Sequence, residues 1–363
     1  MRILVRGPVD TVSGYGNDVV GLLTELRNVT DVSVWPLSVT PPVPRVVAQL
    51  FERELKPPYD AVLWYTDPAA LTPWDMQGWG RVQVGWSMWE RTPLTGRDLP
   101  WWDEELTDHR DRRVWSDRYD IDRSSWLDEL WVPCRMNVDA FTALDKVTPI
   151  GVVTPGVNEK QWPVLPRNRS DDVVRFCAEG VLAGRKDPAS LLRAWSLFRE
   201  TRPELVAELH LKLTGAPEAA FRARGVPDVV LHTDVWPQSE LLRFYDRMDC
   251  MVSASRGEGV NKPAVQFLCT GGPVIASRWG GHEAWLMDSH AWAVDHTVQE
   301  SPAEAGTYDA PINVEHLAQL FATVAEDPAG RRRKGAAGAG FVRSALSWPV
   351  VVPKVLSRLS RLM

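Results

Sequence analysis

Five polar or charged residues crowd into one short stretch in the second half of the chain, where they could bind an anionic ligand. They are Ser255, Arg256, Glu258, Asn261 and Lys262. Arginine and lysine complement the charge of a phosphate, and a carboxylate accepts hydrogen bonds from hydroxyl groups. For any one of these residues alone, an ordinary connection between a strand and a helix is the alternative interpretation.

The elements around this stretch would hold it at the edge of a sheet. The pattern predicts a strand, a turn, a helix and a second strand, at residues 250–254, 255–259, 262–269 and 274–276. Pro263 falls in the first helical turn, where its missing N–H costs nothing. A helix that begins just beyond a strand presents free N–H groups and the positive end of its dipole, so the site favours negative charge.

A second glycine-rich turn follows the predicted strand 1–5. Its sequence S-G-Y-G places Gly14 and Gly16 at the start of a predicted helix, 17–27. Small residues there would allow a ligand to approach the backbone closely. G-x-G is a weak signal by itself, and Val19 replaces the third glycine of a dinucleotide-binding motif.

Strands and helices alternate along both halves of the chain, which predicts parallel sheets covered by helices. The strands predicted in the first half lie at 1–5, 32–37, 61–65, 82–87, 127–133 and 151–156. A helix is also predicted at 45–55. A second alternating series begins at residue 174, after a proline-rich polar linker at 163–172, and the chain ends on an amphipathic helix at 348–362.

Length and composition are those of a globular protein with two domains. The 363 residues are 44% hydrophobic and 24% charged. A net charge of −6 argues against bulk binding of nucleic acid, and the absence of an 18-residue apolar segment argues against a membrane span. We expect a cytoplasmic protein whose four cysteines are reduced and buried, and the lack of a Cys/His cluster predicts no metal site.

Arginine, aspartate and aromatic residues interleave between residues 99 and 126 without a clear period. Two interpretations are open: a loop that grips a ring or a phosphate with arginine and tryptophan, and a solvated, charged insertion. The D-I-D sequence at 120–122 resembles a metal-binding motif, but no hydrophobic strand precedes it. We therefore discount a metal there.

Several segments, in order along most of the chain, resemble the signatures of the retaining glycosyltransferases of family 4. They are S-G-Y-G (13–16), G-W-S-M-W-E (85–90), D-E-L-W-V-P-C (128–134), V-T-P-G-V-N (153–158), R-K-D-P-A-S-L-L-R-A-W (185–195), S-R-G-E-G-V-N-K-P (255–263) and S-W (347–348). The segment at 255–263 resembles the most specific motif of that family. Each motif is weak alone, and their order and spacing together are a strong signal.

The resemblance implies the GT-B fold, an α/β architecture of two facing Rossmann-like domains with a C-terminal helix that crosses back to the first domain. The implied boundaries are 1–165 for an acceptor-binding domain, 171–345 for a nucleotide-sugar-binding domain and 346–363 for the helix. It also implies transfer of a hexose from an NDP-sugar to a hydroxyl acceptor with retention. In the front-face mechanism of that family a donor phosphate oxygen accepts the proton, so that no metal or other cofactor is needed.

The resemblance gives catalytic roles to Arg185 and Lys186, which would bind the nucleotide diphosphate, and to Glu258, which would hold the hydroxyls of the donor sugar. Such cations suit a leaving diphosphate because its negative charge grows in the transition state. Further donor contacts are expected at Gly14, Gly16, Val235, Gly259, Val260, Asn261 and Gln266. Trp89 and Glu90 are expected on the acceptor side, where a simple salt bridge is the alternative role for Glu90.

Two residues depart from the family pattern. Gln266 stands where relatives carry a second glutamate, which accepts hydrogen bonds from the ribose. Glutamine keeps one carbonyl acceptor and gains two donors, so we expect weaker ribose binding and an open nucleotide preference. Val181 stands where many relatives carry an arginine, and Arg185 would serve in its place.

Three functions follow from these observations. The first is transfer of the sugar to a glycan or a small hydroxylated metabolite. The second is the same chemistry on a hydroxylated base in DNA, which the stretch 99–126 would suit and the acidic net charge opposes. The third is a catalytically silent protein that binds a nucleotide-sugar and lost turnover with the second glutamate.

Overall fold

The computed structural model describes residues 1–11, 13–71, 78–92, 127–143, 148–168, 171–180, 184–213, 223, 225–303 and 306–363. The chain divides into two compact units. The first comprises Met1–Gly156 and Leu346–Met363, and the second comprises Val157–Ala345. The charged stretch 99–126 and Val181 lie outside the described residues, so their predicted roles stay predictions.

A six-stranded parallel sheet forms the centre of the first unit. Its strands are β1 (Arg2–Val9), β2 (Asp31–Val39), β3 (Tyr59–Tyr65), β4 (Gly80–Trp86), β5 (Glu129–Val132) and β6 (Ile150–Val152). They lie in the order β2-β1-β3-β4-β5-β6, so the direction in which strands are added reverses between β1 and β3. At such a reversal the loops beyond the carboxyl ends diverge and leave a crevice for ligands.

The helices described in the first unit are α1 (Gly14–Val29), α2 (Arg45–Ala48) and α3 (Arg135–Thr142). The helix predicted at 45–55 is therefore wrong in length. Pro44 precedes α2 without a side-chain hydrogen bond to its first turn, and turns replace the helix after Gln49. A helix so short and uncapped has little to stabilise it.

The C-terminal helix α9 (Trp348–Leu362) packs on the first unit, as the predicted fold requires. Its apolar residues join the core that α1 and the sheet form. The indole of Trp348 lies so close to Gly21 of α1 that a Cβ at Gly21 would overlap it. At the other end of the helix, Arg358 forms an ion pair with Glu129 of β5.

A second six-stranded parallel sheet forms the centre of the other unit. Its strands are β7 (Val174–Gly180), β8 (Ala207–Leu213), β9 (Val229–His232), β10 (Cys250–Ser253), β11 (Val274–Ser277) and β12 (Ala291–Val294). The helices described are α4 (Pro188–Thr201), α5 (Gln238–Arg247), α6 (Lys262–Cys269), α7 (Val314–Glu326) and α8 (Pro328–Phe341). The strand order β12-β11-β10-β7-β8-β9 places the reversal between β10 and β7.

The structure confirms the predicted pair of α/β domains with parallel sheets. It adds the edge strand β12 and a small antiparallel hairpin, β13 (Gln299–Glu300) with β14 (Tyr308–Asp309). All four cysteines are buried and unbonded, as predicted. None of the helices in the described ranges is long and apolar enough to cross a bilayer.

Candidate active site

A buried carboxylate in contact with two cations lies at the carboxyl ends of the central strands of the second unit. Glu258 Oε2 accepts a hydrogen bond of 2.9 Å from Arg185 Nη1, and Lys186 Nζ donates to Oε1 of the same carboxylate. The side chain of Glu258 is 4% exposed, against 30% for Arg185 and 16% for Lys186. The structure therefore brings together the three residues predicted to be catalytic, in a cluster whose cations remain reachable from solvent.

Backbone hydrogen bonds hold the two cations beside the end of β10. Gly184–Lys186 form a 3-10 turn before α4, whose N-cap is Asp187. The carbonyl of Arg185 accepts 2.7 Å from the N–H of Arg256 and 3.2 Å from the hydroxyl of Ser255. These bonds join the end of β7 to the end of β10, at the reversal of strand order where open parallel sheets bind ligands.

The carboxyl group of Glu258 stays ionised at neutral pH. Burial acts to raise its pKa, but the charges of Lys186 and Arg185 outweigh burial and lower the pKa to about 2. An ionised carboxylate only accepts hydrogen bonds. Glu258 can therefore orient cations or sugar hydroxyls, and it cannot donate a proton as a general acid near pH 7.

A network of side chains fixes the backbone that follows Glu258. Asn261 adopts a left-handed conformation with φ 65°, and its Nδ2 donates to Ser253 Oγ and His282 Nε2, both at 2.9 Å. His282 Nδ1 lies 2.8 Å from the carbonyl of Ser277 and must carry the proton, because that carbonyl only accepts. Burial lowers the pKa of His282 to about 4, so the ring is neutral and both nitrogens are used. His282 is thus a support for Asn261 and not a base.

The other predicted donor residues of the second unit occupy different environments. Gly259 lies so close to Gly281 that a Cβ at Gly281 would overlap the carbonyl of Gly259. The carbonyl of Val260 accepts 2.7 Å from the indole of Trp285. Gln266 is buried on α6, and Val235 is 86% exposed in the loop after β9. The structure therefore groups Gly259 and Val260 with Glu258, and it places Val235 on a separate loop.

Sequence reasoning missed a second carboxylate, the half-buried Glu179, at the end of β7. Glu179 Oε2 accepts 2.6 Å from the hydroxyl of Tyr245. Its removal from water raises the pKa of Glu179, and the bond from Tyr245 and the charges of Lys212 and Lys186 oppose that rise without cancelling it. Only the strand register, which no sequence motif reveals, sets Glu179 beside Lys212. Among the described residues, no group of three or more His, Cys, Asp or Glu side chains is arranged to hold a metal ion.

In the first unit, the glycine-rich turn begins α1. Ser13 is the N-cap: its Oγ accepts 2.9 Å from the N–H of Gly16, and its own N–H and hydroxyl donate to the carboxylate of Asp10. This end of the helix is therefore already capped by Ser13, which is in turn bonded to the negatively charged side chain of Asp10. A Cβ at Gly14 would meet no atom within 4 Å, so the backbone there is open to a ligand.

Trp89 and Glu90 follow β4 and lie beside the same turn. Asn137 of α3 is fully buried and clamps the backbone of Trp89, accepting 2.9 Å from its N–H and donating 2.8 Å to its carbonyl. The hydroxyl of Tyr15, between the two glycines, donates 3.0 Å to the carbonyl of Met88. The structure thus brings the predicted acceptor residues to the edge that carries Gly14 and Gly16.

Comparison with known proteins adds three findings. The family "Glycosyl transferases group 1" matches residues 174–306, which contain the Glu258 cluster. A D-inositol 3-phosphate glycosyltransferase from Thermomonospora curvata is 27% identical over 233 residues, covering 57% of this chain and 50% of that protein. One from Streptomyces coelicolor is 26% identical over 178 residues, covering 40% and 39%. The chain therefore spans half or less of the length of these relatives.

Solved structures match the whole chain. Sucrose-phosphate synthase from Thermosynechococcus elongatus has a TM-score of 0.68 at 15% identity, covering 100% of this chain and 99% of that one. Anabaena HepE, solved in complex with UDP and glucose, has a TM-score of 0.65 at 13% identity, covering 99% and 100%. At such identities the likeness establishes the fold, which is GT-B. The group 1 match at 174–306, the inositol-3-phosphate glycosyltransferase homologues and the GT-B fold together support a GT4-type glycosyltransferase.

Proposed function

We propose that the protein transfers a hexose from an NDP-sugar to a hydroxyl acceptor, with retention of configuration and without a metal ion. The observation that carries the proposal is the buried Glu258 carboxylate held by Arg185 and Lys186. It lies at the reversal of strand order, which is the position where open parallel sheets bind nucleotides. The acceptor is a hydroxylated glycan or small metabolite.

The charges of this cluster suit the departure of a nucleoside diphosphate. Arg185 and Lys186 exceed the charge of Glu258 by one positive unit, so the cluster attracts an anion. Because Glu258 already holds both cations in place, little reorganisation is needed when negative charge develops on the leaving group. Fixed cations can thereby supply the charge stabilisation that other enzymes take from a metal ion.

Glu258 and the backbone after it would contact the donor sugar. The ionised carboxylate of Glu258 would accept hydrogen bonds from sugar hydroxyls. Asn261, through its bonds to Ser253 and His282, fixes the turn that contains Gly259 and Val260. UDP is the favoured nucleotide, because two proteins of related fold were solved with it: HepE with UDP and glucose, and S. aureus TarM with UDP and a glycosylated glycerol. On the first unit, the edge with Trp89 and Glu90 would receive the acceptor.

The stereochemistry of transfer tests this proposal. The full-length protein is incubated with UDP-, GDP- and ADP-α-glucose and a panel of hydroxylated acceptors, with EDTA present, and the anomeric protons of the products are read by NMR. We expect α-linked product at an unchanged rate in EDTA. A β-linked product would contradict retention, and loss of activity in EDTA that Mg²⁺ or Mn²⁺ restores would contradict metal independence.

A further inference from the structure

A row of polar side chains crosses three neighbouring strands of the second unit. Glu179 of β7 is in register with Lys212 of β8, and Lys212 is in register with His232 of β9. Residues in register on parallel neighbours point to the same face of a sheet and lie about 4.8 Å apart. The row ends at the carboxyl edge, next to the cluster of Glu258, Arg185 and Lys186.

A chain of hydrogen bonds fixes the proton positions of His232. Glu208 accepts 2.9 Å from Arg175 and lies 3.0 Å from His210 Nε2, and His210 Nδ1 lies 3.0 Å from His232 Nε2. Glu208 is ionised, because burial is outweighed by its bonds to His210 and Arg175 and its pKa is lowered. An ionised carboxylate needs a donor, so His210 carries its proton on Nε2.

The proton of His232 follows from that of His210. Burial lowers the pKa of His210 and lowers that of His232 to about 4, so both rings are neutral at pH 7. Nδ1 of neutral His210 is an acceptor, and His232 must donate to it through Nε2. Nδ1 of His232 is therefore a hydrogen-bond acceptor, and within the described chain it has no hydrogen-bond partner.

Lys212 is a buried cation with few partners. The residue is 5% exposed, and its Nζ donates 3.3 Å to the carbonyl of Leu213 and lies 4.9 Å from the ring of Trp236. Glu179, its neighbour in register on β7, interacts with it through charge, but among the residues that the structure describes no carboxylate lies within salt-bridge distance of Lys212. An ammonium has three donors, and a buried one left incompletely bonded is costly unless a ligand completes its shell.

The geometry points to a base-reading pair: we propose that Lys212 and His232 recognise the nucleobase of the donor. Lys212 donates to a ring carbonyl, and His232 Nδ1 accepts the adjacent ring N–H. This inference rests on the proposed function, which places the diphosphate at Arg185 and Lys186. β9 lies three strand intervals from β10, about 14 Å, which lets a nucleotide extend from the Glu258 cluster to this pair.

The pair selects bases by the hydrogen on one ring nitrogen. Uracil and guanine carry an N–H beside a carbonyl, so they match an acceptor beside a cationic donor. Cytosine and adenine present a lone pair at that nitrogen, which would face the lone pair of His232 Nδ1. Trp236 is half-buried, and its ring lies 5.1 Å from that of His232. It adds an aromatic surface on which any base can stack.

Calorimetric titration of the full chain with UDP and CDP tests this inference, because the two nucleotides differ only at N3 and C4 of the base. In the wild type we expect UDP to bind roughly tenfold or more tightly than CDP. His232→Ala should bring the two affinities within about twofold, mainly by weakening UDP. Lys212→Met should weaken both, since both bases keep the carbonyl at C2. The matched control His316→Ala removes an imidazole on α7 and should leave the ratio unchanged.

A second readout reports the proton position directly. In ¹⁵N-labelled protein, Nδ1 of His232 should show the shift of an unprotonated nitrogen, and UDP should move that shift while CDP should not. Equal affinities for UDP and CDP in the wild type, or an unchanged ratio in His232→Ala, would overturn the base-reading pair and leave the donor site intact. Failure of every nucleoside diphosphate to bind would overturn the donor site and this inference together.

Discussion

Glu258 has narrow chemical options, because its carboxylate is buried and already bonded to two cations. Burial alone would favour the protonated form, and Lys186 and Arg185 reverse that preference. The residue therefore acts as a fixed acceptor that orients Arg185 and Lys186. The same bonds make its charge a contributor to folding stability.

The stability that Glu258 contributes should depend on pH. Its pKa is lowered from 4.5 to about 2 in the folded protein, so the contribution is complete above the unfolded pKa and is lost as pH falls toward 2. Between these values the wild type should lose stability relative to Glu258→Gln by up to about 1.4 kcal/mol per pH unit. Urea denaturation of both proteins at pH 6, 4 and 3 measures the difference.

Comparison with Glu258→Gln cancels the titration of the other carboxyl groups, which both proteins share. The matched control Glu300→Gln changes an exposed glutamate of β13 and should show no such pH dependence. A difference between wild type and Glu258→Gln that stays constant from pH 6 to pH 3 would show that the carboxylate is not held ionised by Arg185 and Lys186.

Sequence reasoning could predict the members of this cluster and not its supports. Arg185, Lys186 and Glu258 lie in two motifs more than 70 residues apart. The order of the motifs along the chain was enough to predict that the three residues share one site. The bond of Asn261 to His282 and that of Glu179 to Tyr245 join residues from different strands and helices. Such pairs depend on strand register, which leaves no local pattern in the sequence.

At the scale of elements, one ion pair joins the C-terminal helix α9 to the first sheet. Arg358 donates through Nη2 and, at 2.7 Å, through Nε to the carboxylate of Glu129, and the indole of Trp131 donates 2.7 Å to the same group. Burial acts to raise the pKa of Glu129, but Arg358 and Trp131 outweigh it and the pKa is lowered. The helix is thus fixed at one end by Trp348 against Gly21 and near the other by Arg358.

Removing this ion pair should weaken the first unit. Arg358→Met leaves a buried carboxylate with one donor, and we expect a loss of roughly 2 kcal/mol of unfolding free energy near pH 7, allowing for the partial exposure of Arg358. Because the pKa of Glu129 is lowered in the folded protein, the loss should shrink as pH falls below its ordinary value of 4.5. Urea titrations followed by tryptophan fluorescence measure it.

The matched control for this change is Arg361→Met, which removes an exposed arginine from the same helix. Arg361 acts on Glu129 only through its charge, so the effect should be well under half of that for Arg358. Equal effects of the two substitutions would show that net charge, and not the ion pair, stabilises the helix.

The alternation of apolar runs was sufficient to predict the strands and helices that carry the site. β10, β11 and α6 agree with the predicted segments within a few residues, and β7 begins at residue 174, where the second series was predicted to begin. β12 was missed because its four residues, A-W-A-V, form an edge strand with little apolar length, and hairpin strands of two residues leave no periodic signal. The prediction of α2 erred in the opposite direction, because it was too long: a helical pattern without an N-cap bond formed only the short helix Arg45–Ala48.

At the scale of the whole molecule, each unit has its own parallel sheet, its own core and its own predicted site at the carboxyl edge of the sheet. The chain has a net charge of −6, yet the edge of the second sheet collects Arg185, Lys186 and Lys212. A local concentration of cations on an acidic protein favours a small anionic ligand over a nucleic acid.

Release of nucleoside diphosphate from an NDP-hexose by wild type and Lys186→Met tests the proposed donor site most directly. Lys160→Met is the matched control on the surface of the same unit, Lys186→Arg keeps the charge, and thermal denaturation verifies that each variant is folded. We expect the wild type to release UDP, Lys186→Met to be slower by about 100-fold or more, Lys186→Arg to recover part of the rate and Lys160→Met to match the wild type. A folded Lys186→Met that releases the diphosphate at the wild-type rate would contradict the role of the Glu258 cluster in donor cleavage.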